Sequence, residues 1–353
     1  MTKFSYRLHS LVTVFILLLP ISAVSAAQVD GQQVLLKRLK LYQQAFPHIK
    51  FIHAWGGDNW KQEYSRIATL LGEKPDALDY EHPPEFSNDL MVVTMDRLTQ
   101  MLRHNAISET LFRADKKSAL KGSLVCVITI DPGDITGDVL APTRYMLSLP
   151  DSVLEKIHPT RLLGPRNFLL FAIDHEIYHC LDSALFGGAP MTKNTYGGEY
   201  NEHVRENGAD AFALAMYRRR GDWHSQFAQN IMLFRSLWFL HGGPCYHTYR
   251  ALRAVQATPL DKLRNMSLKE LVRFTDRVRN EASGTYETFL DQQAVALQAA
   301  EQLGYEPSDY GPMWVDLSQI KTDSQQVSET ARYYLGLYNR LFDDSPIGFS
   351  PGH

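Results

Sequence analysis

The sequence predicts a predominantly helical α+β protein, with a small, mostly antiparallel sheet packed on the helices. Three observations carry that reading. Downstream of Gly164-Pro165, stretches 166–186, 201–220, 223–240, 267–282, 285–302 and 324–342 all have apolar residues at helical spacing. Upstream, "GSLVCVITID" (122–131) is β-branched and almost wholly apolar, and "TRYMLSLP" (143–150) follows a loop punctuated by Pro and Gly. These two are the best strand candidates, and no repeat or low-complexity tract interrupts the order.

In chain order, Lys3 and Arg7 precede the apolar run "LVTVFILLLPISAVSA", which closes on small residues at Val24 and Ala26. That pattern is expected of a signal peptide over residues 1–26, because the run is shorter than the roughly 20 residues of a spanning helix. The mature protein is therefore expected in the periplasm or secreted, with no membrane span after cleavage. No cysteine lies at the cleavage point, which argues against a lipid anchor. "GQQVLLKRLKLYQQAF" then reads as a helix closed by Pro47, "IKFIHAW" as a short strand, and "NWKQEYSRIATLLG" as a helix stopped by Gly72. Residues 74–87 hold Pro75, Pro83 and Pro84 and read as irregular, and helix returns over 89–114.

Composition excludes several classes. The formal charge of −3 offers no basic face to a nucleic acid. The one tight basic cluster, Arg218 to Arg220, sits where a helix ends and complements its dipole. Three cysteines, Cys126, Cys180 and Cys245, allow at most one internal bridge, of unspecified pairing, and exclude both a disulfide scaffold and a four-cysteine metal site.

The chemistry concentrates in "FAIDHEIYHCLD" (171–182). Two imidazoles and a carboxylate are poor core material unless something offsets their desolvation. On a helix, His175 and His179 leave the same face one turn apart and can hold one ion. Glu176 then stands beside that ion without ligating it, where it can take a proton from a bound water. A third ligand must come from elsewhere, since Asp182 and Leu185 stand where a metzincin would have glycine and histidine. The helical "GGEYNEHVRENGADAFALAMYRRR" offers Glu199, Glu202, His203 and Glu206. Glu206 is distinguished by Asp210, one turn on, which is placed to hold the second nitrogen of a ligating histidine. Gly208, inside the same helix, costs about 1 kcal/mol relative to alanine.

His175-Glu176-x-x-His179 followed on a second helix by Glu206-Asn207-Gly208-Ala209-Asp210 resembles the gluzincin zinc metallopeptidases, the thermolysin-like clan. "HEIYHCLD" also resembles the H-E-x-x-H-x-L-D of the MtfA-like peptidases. The gluzincin resemblance implies one zinc ion on His175, His179 and Glu206, Glu176 as general base, and Asp210 holding His175. It also implies a peptide or protein substrate. Residues 121–258 then form a zincin-like catalytic core between an N-terminal, mainly helical region (27–120) and a C-terminal helical region (259–353). Gluzincins commonly add a histidine or tyrosine donor for the developing oxyanion, for which "HGGPCYHTYRAL" offers His247 first, then Tyr246 and Tyr249. Strand 122–131 reads as buried and central, leaving "TRYMLSLP" as the sheet edge. Cys180 reads as core, and the glycine-rich "FGGAPMTKNTYGGEY" as either a flap or a plain connector. The competing expectation is a zinc-stabilised binding or scaffold protein of the cell envelope that turns over nothing.

Overall fold

A computed structural model describes residues 31–72, 90–104, 106–186, 198–220, 225–242, 244–304 and 327–349. The expected signal peptide, the proline-rich segment and residues 187–197 of the glycine-rich connector lie outside them. The chain runs α1 (Gly31–Ala45), β1 (Ile49–Ala54), α2 (Trp60–Leu71), α3 (Leu90–Arg103), β2 (Ser108–Arg113), β3 (Leu124–Thr129) and α4 (Pro132–Thr136). It continues through α5 (Ala141–Leu147), α6 (Asp151–Leu154), α7 (Pro165–Phe186), α8 (Gly198–Arg218) and α9 (Ser225–Gly242). Last come α10 (Tyr249–Ala257), α11 (Leu260–Asn265), α12 (Leu268–Ser283), α13 (Tyr286–Gln302) and α14 (Glu329–Asn339). No described helix is long and apolar enough to cross a membrane.

The fold is α+β and predominantly helical, as expected, but its sheet is mixed. The strand order is β1-β3-β2, with β1 parallel and β2 antiparallel to the central β3. Alternation along β3 splits the interior in two. Cys126, Ile128 and the following Ile130 face the main core, whereas Val125 and Val127 join Ala54 and Phe112 against Tyr64, Ile67, Leu98 and Leu102 of α2 and α3. The main core runs from Leu35 of α1 to Leu341 after α14, so one apolar cluster draws on the N-terminal, central and C-terminal regions alike.

Two elements differ from the sequence reading. "TRYMLSLP" is not a strand: residues 141–147 form α5, with Pro142 in its first turn and Ser148 closing it in the left-handed region. Its buried residues are Pro142, Thr143, Met146 and Leu147, a four-residue recurrence that strand-like residue types hid. Conversely, the helix expected over 89–114 ends at Arg103, and residues 108–113 become β2. Pairing of Thr110 with Val127 and Phe112 with Val125 decides that, and such a partner is invisible to local spacing.

α7 is buried on nearly every side from Phe168 to Asp182. It is tied to α1 by a buried ion pair, in which Arg38 Nε donates to Asp174 Oδ1 at 2.5 Å and Tyr42 adds its hydroxyl at 2.7 Å. A Cys126–Cys180 disulfide ties it to β3, leaving Cys245 as a free thiol. Cys180 is thus buried, as expected, but bridged. At the far end of α8, Arg218 donates to the carbonyls of Val255 and Thr258, and Arg219 to that of Met266. The basic cluster therefore ties helix ends together.

Candidate metal centre

The crossing of α7 and α8 builds the site. Burying α7 turns the His175 and His179 face toward α8, where Glu206 lies on the facing turn. The two Nε2 atoms stand 3.2 Å apart. Each also faces one oxygen of Glu206, His175 at 3.3 Å and His179 at 3.2 Å. Three donors about 2.0–2.1 Å from one tetrahedral ion stand about 3.3 Å apart, so the spacing fits such an ion. Glu206 is buried, and the two imidazoles and Arg235 are the groups that face its carboxylate. Among the described residues, His175, His179 and Glu206 form a buried cluster that could hold a metal ion. Glu202, the alternative third ligand, instead pairs with Arg205 at 2.9 Å.

Asp210 lies behind His175, its Oδ1 2.8 Å from Nδ1. Its own position is over-determined. Arg235 of α9 donates to Oδ1 at 2.8 Å and places Nε 2.7 Å from Oδ2, and the Thr248 hydroxyl donates to Oδ2 at 2.5 Å. Arg235 also stands 3.6 Å from Glu206 Oε2. Burial opposes ionisation of Asp210, yet Arg235 and His175 hold its carboxyl below the usual carboxylate range. Burial likewise opposes charge on His175, but Glu206 and Asp210 overcome it and raise the imidazole to about 10. Glu206 and Asp210 thus face Arg235 and His175 in one buried charge cluster.

Gly208 ceases to be an objection. A Cβ there would meet Tyr178 Cε1 at 2.5 Å, so only glycine lets α8 lie this close to α7.

The cluster opens into a cavity of about 230 Å³ lined by Glu176 as well as the three donors. Burial raises the Glu176 carboxyl, partly offset by the two histidines. An aromatic and aliphatic wall, Tyr145, Met146, Phe168, Phe171 and Trp238, faces a charged one in which Glu109 of β2 holds Arg205 at 2.8 Å and Arg97 at 3.3 Å. β2 is thus the sheet edge beside the site, the place expected for "TRYMLSLP" once strand 122–131 reads as central.

His247 does not reach this cavity. It stacks on Phe239 at 4.4 Å and lines a different cleft, while Tyr249 packs on Phe349. The reason is the single-turn helix Pro244–Tyr246: it delivers Tyr246 to the metal cavity and Thr248 to Asp210, so the residue between them faces away. Arg235, Thr248 and Tyr145 were not singled out from the sequence. Arg235 did carry a signal, as the one charge in the apolar "FAQNIMLFRSLWFL", which a buried partner must balance. Thr248 and Tyr145 carried none.

No known family, characterised protein or solved structure matches the chain.

Proposed function

We propose that the protein is an exported zinc metallopeptidase. The observation that carries this reading is the placement of Glu176 in the open cavity beside three convergent donors, with Asp210 behind one of them. Two imidazoles and one carboxylate are a donor set suited to zinc with an open position, and zinc supplies Lewis acidity to the substrate carbonyl and to water. No fourth His, Cys, Asp or Glu joins the cluster among the described residues, whereas a purely structural site closes that position with protein.

Glu176 then takes the proton of the attacking water and passes it to the leaving amine. Tyr246 takes the role expected of His247. Burial and the Glu206 carboxylate keep its phenol protonated, so it can donate to the carbonyl oxygen as negative charge develops. Tyr145 lines the same cavity from the opposite direction in sequence and is 42 % exposed. The Cys126–Cys180 bridge suits an oxidising compartment, in keeping with the N-terminal pattern of residues 1–26.

The test compares mature wild type with Glu176→Gln for bound metal and for cleavage of denatured protein. Equal zinc content with turnover reduced about 10²- to 10⁴-fold in the variant is expected. A folded wild type that carries no metal, or a variant that cleaves as well as wild type, contradicts the reading.

A further inference from the structure

A second cleft, of about 220 Å³, shares a wall with the metal cavity. The wall is one residue thick in two places. On α9, Trp238 lines the metal cavity and Phe239 the second cleft; after it, Tyr246 lines the first and His247 the second. The floor of the second cleft is Phe239, His247, Ala296 and Tyr334, all buried. Its mouth is different in kind. Arg250 and Asp291, both exposed, bring one cation and one carboxylate to the rim beside Val295, which is 46 % exposed. Gln292 turns its side-chain oxygen to accept from Arg250 Nη2 at 3.1 Å, which steadies the guanidinium at the rim.

An apolar floor beneath a rim carrying both signs of charge complements a small molecule with a zwitterionic head and an apolar tail. A fatty acid would leave Asp291 facing its carboxylate, and an amine would leave Arg250 unmatched. We propose that the second cleft binds a free apolar amino acid, its head between Arg250 and Asp291 and its side chain against Phe239 and Tyr334, and that occupancy is coupled to the metal cavity. The coupling route is short. The Phe239–His247 stack forms the cleft floor, His247 is followed by Thr248, and the Thr248 hydroxyl holds Asp210 behind His175. A ligand that repacks the stack acts on the group that orients a metal-facing imidazole. The coupling rests on the peptidase reading, whose products include such amino acids; the binding does not.

The experiment titrates L-leucine and L-phenylalanine calorimetrically into the intact mature protein carrying Glu176→Gln, so that nothing turns over. Saturable binding is expected, weakened about tenfold or more by Arg250→Gln and by Asp291→Asn, whose exposed side chains can be changed without opening the core. Hydrocinnamate and phenethylamine, each lacking one charge of phenylalanine, should bind about tenfold more weakly. Because Arg250 and Asp291 do not line the metal cavity, their variants separate this cleft from product rebinding there. No saturable binding of either amino acid, or binding that both substitutions leave unchanged, overturns the site. In wild type, a peptide-cleavage rate that the bound amino acid leaves unchanged overturns the coupling. A protein that binds the amino acids but cleaves no peptide contradicts the peptidase reading and upholds the cleft.

Discussion

The two clefts are nearly equal in volume and share a wall, yet they hold charge in opposite ways. Around the histidine pair of the first cavity the charges are buried and over-determined: Asp210 alone receives His175, Arg235 and Thr248. In the second cleft the buried surface is mainly aromatic and aliphatic, and Arg250 and Asp291 stand at the exposed rim. The difference teaches what each geometry is suited to. Buried, mutually held charges cannot relax, so they keep a fixed field at one point, which is what chemistry on an ion needs. Rim charges remain solvated until a ligand arrives, which gives selectivity at low cost to folding.

The comparison breaks most sharply at Glu206. Glu206→Ala removes one member of a buried charge cluster, and the loss is expected to cost about 3–5 kcal/mol of stability and to abolish metal retention. Glu202→Ala, at the cavity lip, should change stability by less than about 1 kcal/mol and keep the metal. Metal analysis beside thermal denaturation checks both, and retention of metal by Glu206→Ala would show the wrong third donor had been chosen.

Next in size is the bridge. Cys126 and Cys180 are 54 residues apart and fasten the metal helix α7 to the central strand. Loop entropy alone assigns the bridge about 4 kcal/mol. The Cys126→Ala, Cys180→Ala double variant should lose stability of that order in urea titration.

A smaller effect than loss of the bridge is expected at Gly208. Gly208→Ala forces α8 away from Tyr178 and should cost about 1–3 kcal/mol, despite alanine's better helix propensity. Since that shift moves Glu206 relative to His175 and His179, metal affinity should fall as well. Tyr178→Phe in the same background would leave the ring in the way, whereas Tyr178→Ala should relieve the clash and restore part of the affinity. An alanine variant as stable as wild type would remove close approach as the reason for this glycine.

The sequence made much of the site legible, because helical geometry is local. His175, Glu176 and His179 share a turn, and Asp210 follows Glu206 by one turn, so their relative placement follows from period alone. The same local rule explains the errors. The buried residues of α5 recur every four positions in a seven-residue element too short to display a period. β2 is a strand only because β3 lies beside it. Near the site, His247 was chosen over Tyr246 on residue type, but which of two adjacent side chains lines the cavity of the His175, His179 and Glu206 cluster depends on the turn at 244–246 and on Thr248 reaching Asp210.

By itself, then, the sequence determined the helical character of the chain and the spacing of the groups within α7 and within α8, since both depend on bonds between near neighbours. Only the tertiary structure decided that Glu206, not Glu202, meets the histidines, that Cys126 pairs with Cys180, and that Arg235 and Thr248 converge on Asp210. Those are contacts between elements far apart in the chain. They are selected by how whole helices pack and by which buried charges must find partners, and no local pattern encodes that choice.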